Sequence, residues 1–202
     1  MSDLQYAKEV IFHPFDAFYE LKYRGKGSVN VALFLFIALG LASVLNAELS
    51  GFVVNTFKKS ELNSLVFFFG IILPYLFFVI GNYSITTLMD GKGTFGEIFT
   101  VVGYSLLPNV ILMVAATILS RFITVDEISF YVLLLSIGNL ATIFLIFIGL
   151  VVTHEYTFFR TIVSLLLSFI AIALIIFILL LMITLFNQLY GFIKIVIMEI
   201  QN

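Results

Sequence analysis

The side chains most able to do chemistry sit in two short polar segments. His154-Glu155 has the opening of the H-E-x-x-H zinc-protease motif, in which two imidazoles one helical turn apart hold the metal and the glutamate acts as base. Phe158 stands where the second imidazole belongs, and His13 is the chain's only other histidine. No histidine metal site is therefore expected, and His154 reads as a helix-end cap at a membrane surface. Gly91-Lys92-Gly93-Thr94 has the look of a phosphate loop. The Walker pattern needs Ser or Thr directly after the lysine and a second glycine further back, but Gly93 follows Lys92 and threonine fills the earlier place. A tight turn is the expected reading, with glycines for the backbone geometry and Lys92 marking a membrane side. Cysteine is absent, which removes disulfides, thiolate ligands and cysteine nucleophiles. No catalytic residue, metal or cofactor is expected.

The elements around these segments explain why so little chemistry is available. Five stretches, residues 27–47, 62–89, 98–120, 128–153 and 161–193, contain no charged side chain. Each is long enough to cross a hydrocarbon core of about 30 Å, which takes about 20 apolar residues at about 1.5 Å each. Hydrophobic residues make up 62 % of the chain and charged ones 11 %, against roughly 45–50 % and 25 % in soluble domains. Lipid must cover the excess. Residues 161–186 are apolar on every face instead of alternating, so a barrel is excluded and each span is a helix that satisfies its own backbone. The fold class is all-α: a polytopic membrane protein with five transmembrane helices and flanking amphipathic interfacial helices. The first apolar run follows a charged segment and precedes four more, which suits an uncleaved start-transfer helix. A net charge of −2 offers no nucleic-acid footprint.

Ionisable groups inside a span cost about 2.5–3.5 kcal/mol each on insertion scales and are kept where function needs them. Their absence here argues against a proton-coupled transporter, a voltage sensor and an intramembrane aspartyl or serine protease. The strongest polar groups left inside are Asn46, Asn82, Asn109 and Asn139. Interhelical hydrogen bonding is their expected role, and a polar path is the alternative. The nine tyrosines lie mostly near span ends and read as an aromatic belt.

Three segments follow: an amphipathic N-terminal segment (1–27), the five-helix membrane domain (28–187) and an amphipathic tail (188–202). In the first, Leu4, Ala7, Val10 and Ile11 fall at helical spacing opposite Lys8 and Glu9. Pro14 opens a second helix that places Phe15, Phe18, Tyr19 and Lys22 on one face. Both read as lying at the headgroup level, with a fold-back onto the loops as the alternative. Pro74 predicts a kink in the second span. Thr94 and Glu97 form a capping box that starts the third. Pro108 interrupts that helix and frees the carbonyl of Tyr104, for which the Ser105 hydroxyl or a water is the expected partner. Seven residues, 154–160, join the last two spans and predict antiparallel neighbours. Ser164 and Ser168 give the fifth span a small-residue edge. Residues 189–200 read as an interfacial helix or an extension of that span. With the N-terminus inside, the inner face carries Lys8, Lys22, Arg24, Lys26, Lys92 and Arg160, and the outer face Lys58, Lys59, Arg121 and Lys194. That bias predicts a cytoplasmic N-terminus and an outside C-terminus.

Pro74, Gly81-Asn82-Tyr83, the run from Asp90 through Gly91, Gly93 and Glu97 to Phe99, and Gly103-Tyr104-Ser105-Leu106-Leu107-Pro108 together resemble the Yip (Ypt-interacting protein) family. His13-Pro14-Phe15-Asp16-Ala17-Phe18 and Gly25-Lys26-Gly27-Ser28 look like its prokaryotic branch. The resemblance implies five spans with a cytoplasmic N-terminus, in agreement with the charge count. Eukaryotic members are implicated in vesicle traffic and contact Rab-type GTPases and one another. Some prokaryotic members look like companions of ABC transporters. This chain lacks a long cytoplasmic N-terminal region, which weighs against a GTPase role. Gly103, Tyr104, Ser105 and Pro108 carry over as signature positions without a catalytic role. The expected function is that of a non-enzymatic accessory or scaffold for other membrane proteins in a plasma membrane. Its partners would be the bilayer, integral membrane proteins including ABC transporter subunits, and further copies of itself, but not nucleic acid. The kinked second and third spans, Asp90–Glu97 and the N-terminal helix would form its surface. The alternative is a small-molecule or lipid transporter or channel lined by Asn82, Asn109 and Asn139.

Overall fold

The computed structural model describes residues 3–55 and 62–200. Lys58 and Lys59, used in the charge count, lie outside the described residues, as do the side chains of Leu4 and Glu199. The order is α1 (Asp3–Phe12), α2 (Pro14–Arg24), α3 (Val29–Leu49), α4 (Ser64–Leu88), α5 (Phe95–Ser105), α6 (Leu107–Leu119), α7 (Ile128–His154) and α8 (Phe158–Ile200). No strand occurs among the described residues. Five helical units are long and apolar enough to cross a membrane: α3, α4, α5 with α6, α7, and α8.

Polar contacts sort the loops to two ends. Tyr23 Oη donates to Glu155 Oε1 at 2.6 Å, and Lys22 Nζ donates to the carbonyl of Lys92 at 2.6 Å. The N-terminal helices, the α4–α5 turn and the α7–α8 turn thus share one end. At the other, the Gly51 N–H donates to Ser120 Oγ at 2.9 Å and Arg121 Nε to the carbonyl of Leu49 at 2.9 Å.

The α5–α6 unit stands at the centre, against α3 and α7, while α4 packs between α3 and α8. Small residues permit these approaches. A Cβ on Gly103 would meet that of Ala32 at 2.5 Å, and one on Gly149 would meet Val101 Cγ1 at 2.3 Å. Pro108 falls within the first turn of α6, and the helix breaks at Leu106 as its sequence anticipates. The Ser105 hydroxyl, however, donates to the carbonyl of Val101 at 2.7 Å, four residues back in its own helix, and not to that of Tyr104.

Two further expectations change. The α8 helix packs chiefly against α4, not α7, because its small edge finds small partners there. Ser164 and Ser168 are buried, and a Cβ on Gly81 would stand 3.1 Å from the carbonyl oxygen of Ser168. The buried stripe of α2 is Ala17, Phe18 and Leu21, with Tyr6 and Val10 of α1 beside it; Phe15 and Tyr19 face outward. These α1–α2 residues share one core cluster with Leu35, Val101, Tyr104, Leu145 and Ile148 of the spans. Of the two readings for the residues after Gln188, the extension is the one found: they continue α8 as one helix of 43 residues, about 65 Å long and about twice the hydrocarbon thickness.

Candidate functional site

The end that carries the N-terminal helices gathers most of the chain's described charge into one polar layer. Lys22 of α2 reaches Glu97 at 2.9 Å while also donating to the Lys92 carbonyl, and its side chain is only 13 % exposed. Glu97 closes the capping box with Thr94, accepting its N–H at 2.7 Å, so one carboxylate both starts α5 and anchors α2. Lys92 donates to Glu155 Oε2 at 2.5 Å, and Tyr23 donates to the other oxygen of the same carboxylate. Lys92, then Tyr23, holds the Glu155 carboxyl below the usual carboxylate range, and the same bond raises Tyr23 above the ordinary tyrosine range. Beside them Lys26, then Arg24, lowers Glu20.

Beneath this layer His154 closes α7 and is 2 % exposed. Its Nδ1 accepts the Gly93 N–H at 3.2 Å, and its ring stacks on Tyr156 with centroids 5.2 Å apart. A Cβ at Gly91 would lie 2.6 Å from His154 Nδ1, and one at Gly93 2.7 Å from His154 Cε1. The two glycines are therefore the space into which the imidazole fits. Tyr156 donates to the Met89 carbonyl at 3.1 Å, and burial raises its hydroxyl above the ordinary range. Arg160 lies over the Tyr156 ring at 4.6 Å and donates to the same carbonyl. The turn before α5 and the turn after α7 are thus locked together. Sequence reading placed His154 at a helix end but missed its glycine-lined seat. A signal for it existed in the pairing of Gly-x-Gly with a lone histidine.

About two to three helical turns deeper lie the signature positions. Tyr104 is fully buried; its ring meets Tyr6 edge-on at 4.9 Å, and its hydroxyl accepts the Ser28 N–H at 3.3 Å. Gly27 passes this point with φ of +90°, where a Cβ would stand 3.2 Å from Tyr6. The Gly25–Ser28 and Gly103–Ser105 motifs, far apart in sequence, therefore meet around Tyr104. Tyr6, Tyr104 and Tyr156 are core residues and do not join the expected aromatic belt. Burial lifts the Tyr6 hydroxyl well above its ordinary range, with Tyr104 adding to the shift. Asp90, Gly91, Gly93 and Glu97 come together in the polar layer. Gly103, Tyr104, Ser105 and Pro108 lie buried below it. Pro74 stands apart, midway along α4.

The intramembrane amides join helices in pairs. Asn46 Nδ2 donates to Thr117 Oγ1 at 2.9 Å and its oxygen accepts from Tyr131 at 2.9 Å. Asn82 donates to Ser168 Oγ at 3.1 Å, and Asn109 to Asn139 Oδ1 at 2.9 Å. Most span hydroxyls, including those of Thr86, Thr100, Ser105 and Thr117, donate to carbonyls of their own helices. No group of three His, Cys, Asp or Glu side chains able to hold a metal occurs among the described residues.

Fold and polar layer together define a five-span helical membrane protein whose N-terminal arm is built into its bundle. The Yip1 domain family model matches residues 8–191, and the chain belongs to that family. No curated protein and no solved structure matches it.

Proposed function

We propose that this Yip1-domain protein is a non-enzymatic accessory or scaffold that presents its N-terminal end to other integral membrane proteins. The observation that carries this reading is the convergence of three chain segments on one interlocked polar layer, through Lys22–Glu97, Lys92–Glu155 and Tyr23–Glu155. Such interlocking prepays the ordering that a partner would otherwise impose. Outward from it point Phe15 and Tyr19 of α2 and the side chain of Asp90, which is 98 % exposed. Gly103, Tyr104, Ser105 and Pro108 support this surface from beneath, and Pro74 shapes the α4 wall.

The natural partners on this reading are membrane complexes such as ABC transporter subunits, or a second copy of the chain. The N-terminal end faces the cytoplasm of a plasma membrane, consistent with the lysine and arginine bias. Crosslinking in mild detergent, followed by co-purification, tests the surface. Tyr19→Ala and Asp90→Lys should lose a partner that wild type retains, with unchanged helicity and gel-filtration behaviour. Unchanged capture in both would remove the proposed surface. Because the chain has no cysteine, single cysteines at Ser2 and Asn202 report orientation cleanly. Labelling of Ser2→Cys from outside intact cells would reverse it.

A further inference from the structure

A second feature lies away from the polar layer, inside the hydrocarbon zone. Between α4, α7 and α8 runs a cavity of about 620 Å³ whose wall is hydrocarbon and aromatic ring almost throughout, including Pro74, Phe78, Phe144, Phe147, Phe158 and Phe169. It exists because α8 takes its small-residue edge to α4 and leaves α7, meeting it near the connecting turn, where Phe147 and Phe158 rings are 5.1 Å apart. The side facing lipid is open: Leu140 and Phe144 on its rim are 66 % and 59 % exposed.

We propose that this groove is a binding site for one lipid acyl chain from the leaflet on the N-terminal side. Its depth fits one leaflet. Phe158 stands at the α7–α8 turn and Phe169 eleven residues deeper, about 16 Å along the helix, close to half of a hydrocarbon core of about 30 Å. Its width decides between a chain and a helix. A volume of about 620 Å³ over that depth leaves a mean cross-section of about 40 Å². A helix with its side chains is about 10–12 Å across and needs at least twice that area. A slender hydrocarbon chain fits, and it is the medium onto which the groove opens. Three helical walls hold such a chain on most of its circumference, where an ordinary boundary lipid touches one face. Dispersion contacts summed along the rings then slow its exchange.

The chain has no tryptophan, so a single introduced indole reports the groove alone. Phe147→Trp places it on the partly buried wall of the groove, and Phe177→Trp, on an α8 face 57 % exposed, serves as reference. Each variant is reconstituted in phosphatidylcholine vesicles with acyl chains brominated near mid-chain, then exchanged into unbrominated lipid. Both indoles should be quenched at first. After exchange the Phe177→Trp signal should recover at once, while Phe147→Trp should keep most of its quenching and recover several-fold more slowly. Leu165→Trp, on the α8 wall of the groove, repeats the test should Phe147→Trp fold poorly. Recovery at equal rates would overturn the proposal, making the groove ordinary boundary. Absence of initial quenching in the groove would also overturn it, because a partner helix or second copy would then exclude lipid.

Discussion

The α5–α6 unit and α8 lie at opposite ends of the hydropathy range and in opposite surroundings. Over its most apolar window α5–α6 has a mean hydropathy of 2.0 and is 61 % buried, whereas α8 reaches 3.3 and is 6 % buried. In water the more apolar helix would be the one inside. In lipid, tails are as apolar as leucine, and burial follows close packing and hydrogen bonding instead. The α5–α6 unit carries Gly103 and Asn109, which allow approach or join neighbours. Beyond Ile172, α8 has no buried residue among those described. The N-terminal arm adds a third regime: α1 and α2 enter the bundle from the aqueous side, so the hydrophobic effect itself drives their docking.

The largest expected effect tests that regime. Phe18 is fully buried and reaches within 3.3 Å of a Cβ placed on Gly149. Phe18→Ala should cost about 3–5 kcal/mol, read as release of the arm to protease at a lower temperature in detergent. A loss below about 1 kcal/mol would mean the arm is an interfacial helix that docks only weakly. Within the lipid regime, Gly103→Val drives a branched side chain against the Ala32 backbone, 2.8 Å from a Cβ. It should cost about 1–3 kcal/mol or more, measured by denaturant unfolding in bicelles.

At the boundary between the two regions, His154→Ala strands the Gly93 N–H and empties its seat, at about 1–3 kcal/mol. Gly93→Ala alone should be harmful as well. In the His154→Ala background most of the Gly93→Ala penalty should vanish, since the clash is with the imidazole. Additive losses in the double variant would break the claim that the two residues share one space.

How much of this was legible beforehand follows from the same physics. Charge-free runs of sufficient length can only be spans, so five helices could be counted from residue types. Thr94 with Glu97, and Pro108, act through local backbone geometry and marked their helix boundaries correctly. A second capping box, Thr124 with Glu127, carries the same signature and opens the helical turn ahead of α7. Packing partners were not legible. Loop length suggested α7 as the neighbour of α8, but Ser164 and Ser168 select Gly81 and Asn82 on α4, a pairing no local rule reveals. The arm's inward face is not legible because Phe15 and Tyr19 are as large and ring-bearing as any residue of the buried stripe, and only the bundle decides which stripe it accepts. Tyr104 was recognised as a signature position. Its reason, a meeting of Tyr6 and Ser28, lies about 76 or more residues away in the chain.

The polar layer should respond to acid before any core does. Glu155 is held below the ordinary carboxylate range by Lys92 and Tyr23, and Glu20 by Lys26 and Arg24. For a lowered carboxylate the folded-state advantage is present above the ordinary value and fades as pH falls through the lowered one. Tyr23, raised by its bond to Glu155, adds an advantage present below the ordinary tyrosine range and lost as pH rises through the raised value. The protection factor of the Gly93 amide, its exchange slowed relative to free peptide at the same pH, should therefore stay high from neutral to mildly alkaline pH. The protection should fall below the carboxylate range, with Glu155→Gln poorly protected throughout. Because these groups are exposed, the change should be small and weaken further with salt. No difference between wild type and Glu155→Gln would mean that the lock rests on His154 alone.

The smallest expected effect is the most discriminating. Phe177 lies on the part of α8 that no other described element covers and is 57 % exposed. In lipid, Phe177→Ala removes contacts with acyl chains that the unfolded state also makes, so it should change stability by less than about 0.5 kcal/mol. The same chemical change is thus expected to differ by several kcal/mol between α2 and α8, although both residues are phenylalanines on helices. If Phe177→Ala instead costs more than about 1 kcal/mol, and only at high protein-to-lipid ratio, then α8 is covered by a second copy. The contrast with α5–α6 would then belong to the single chain and not to the assembly.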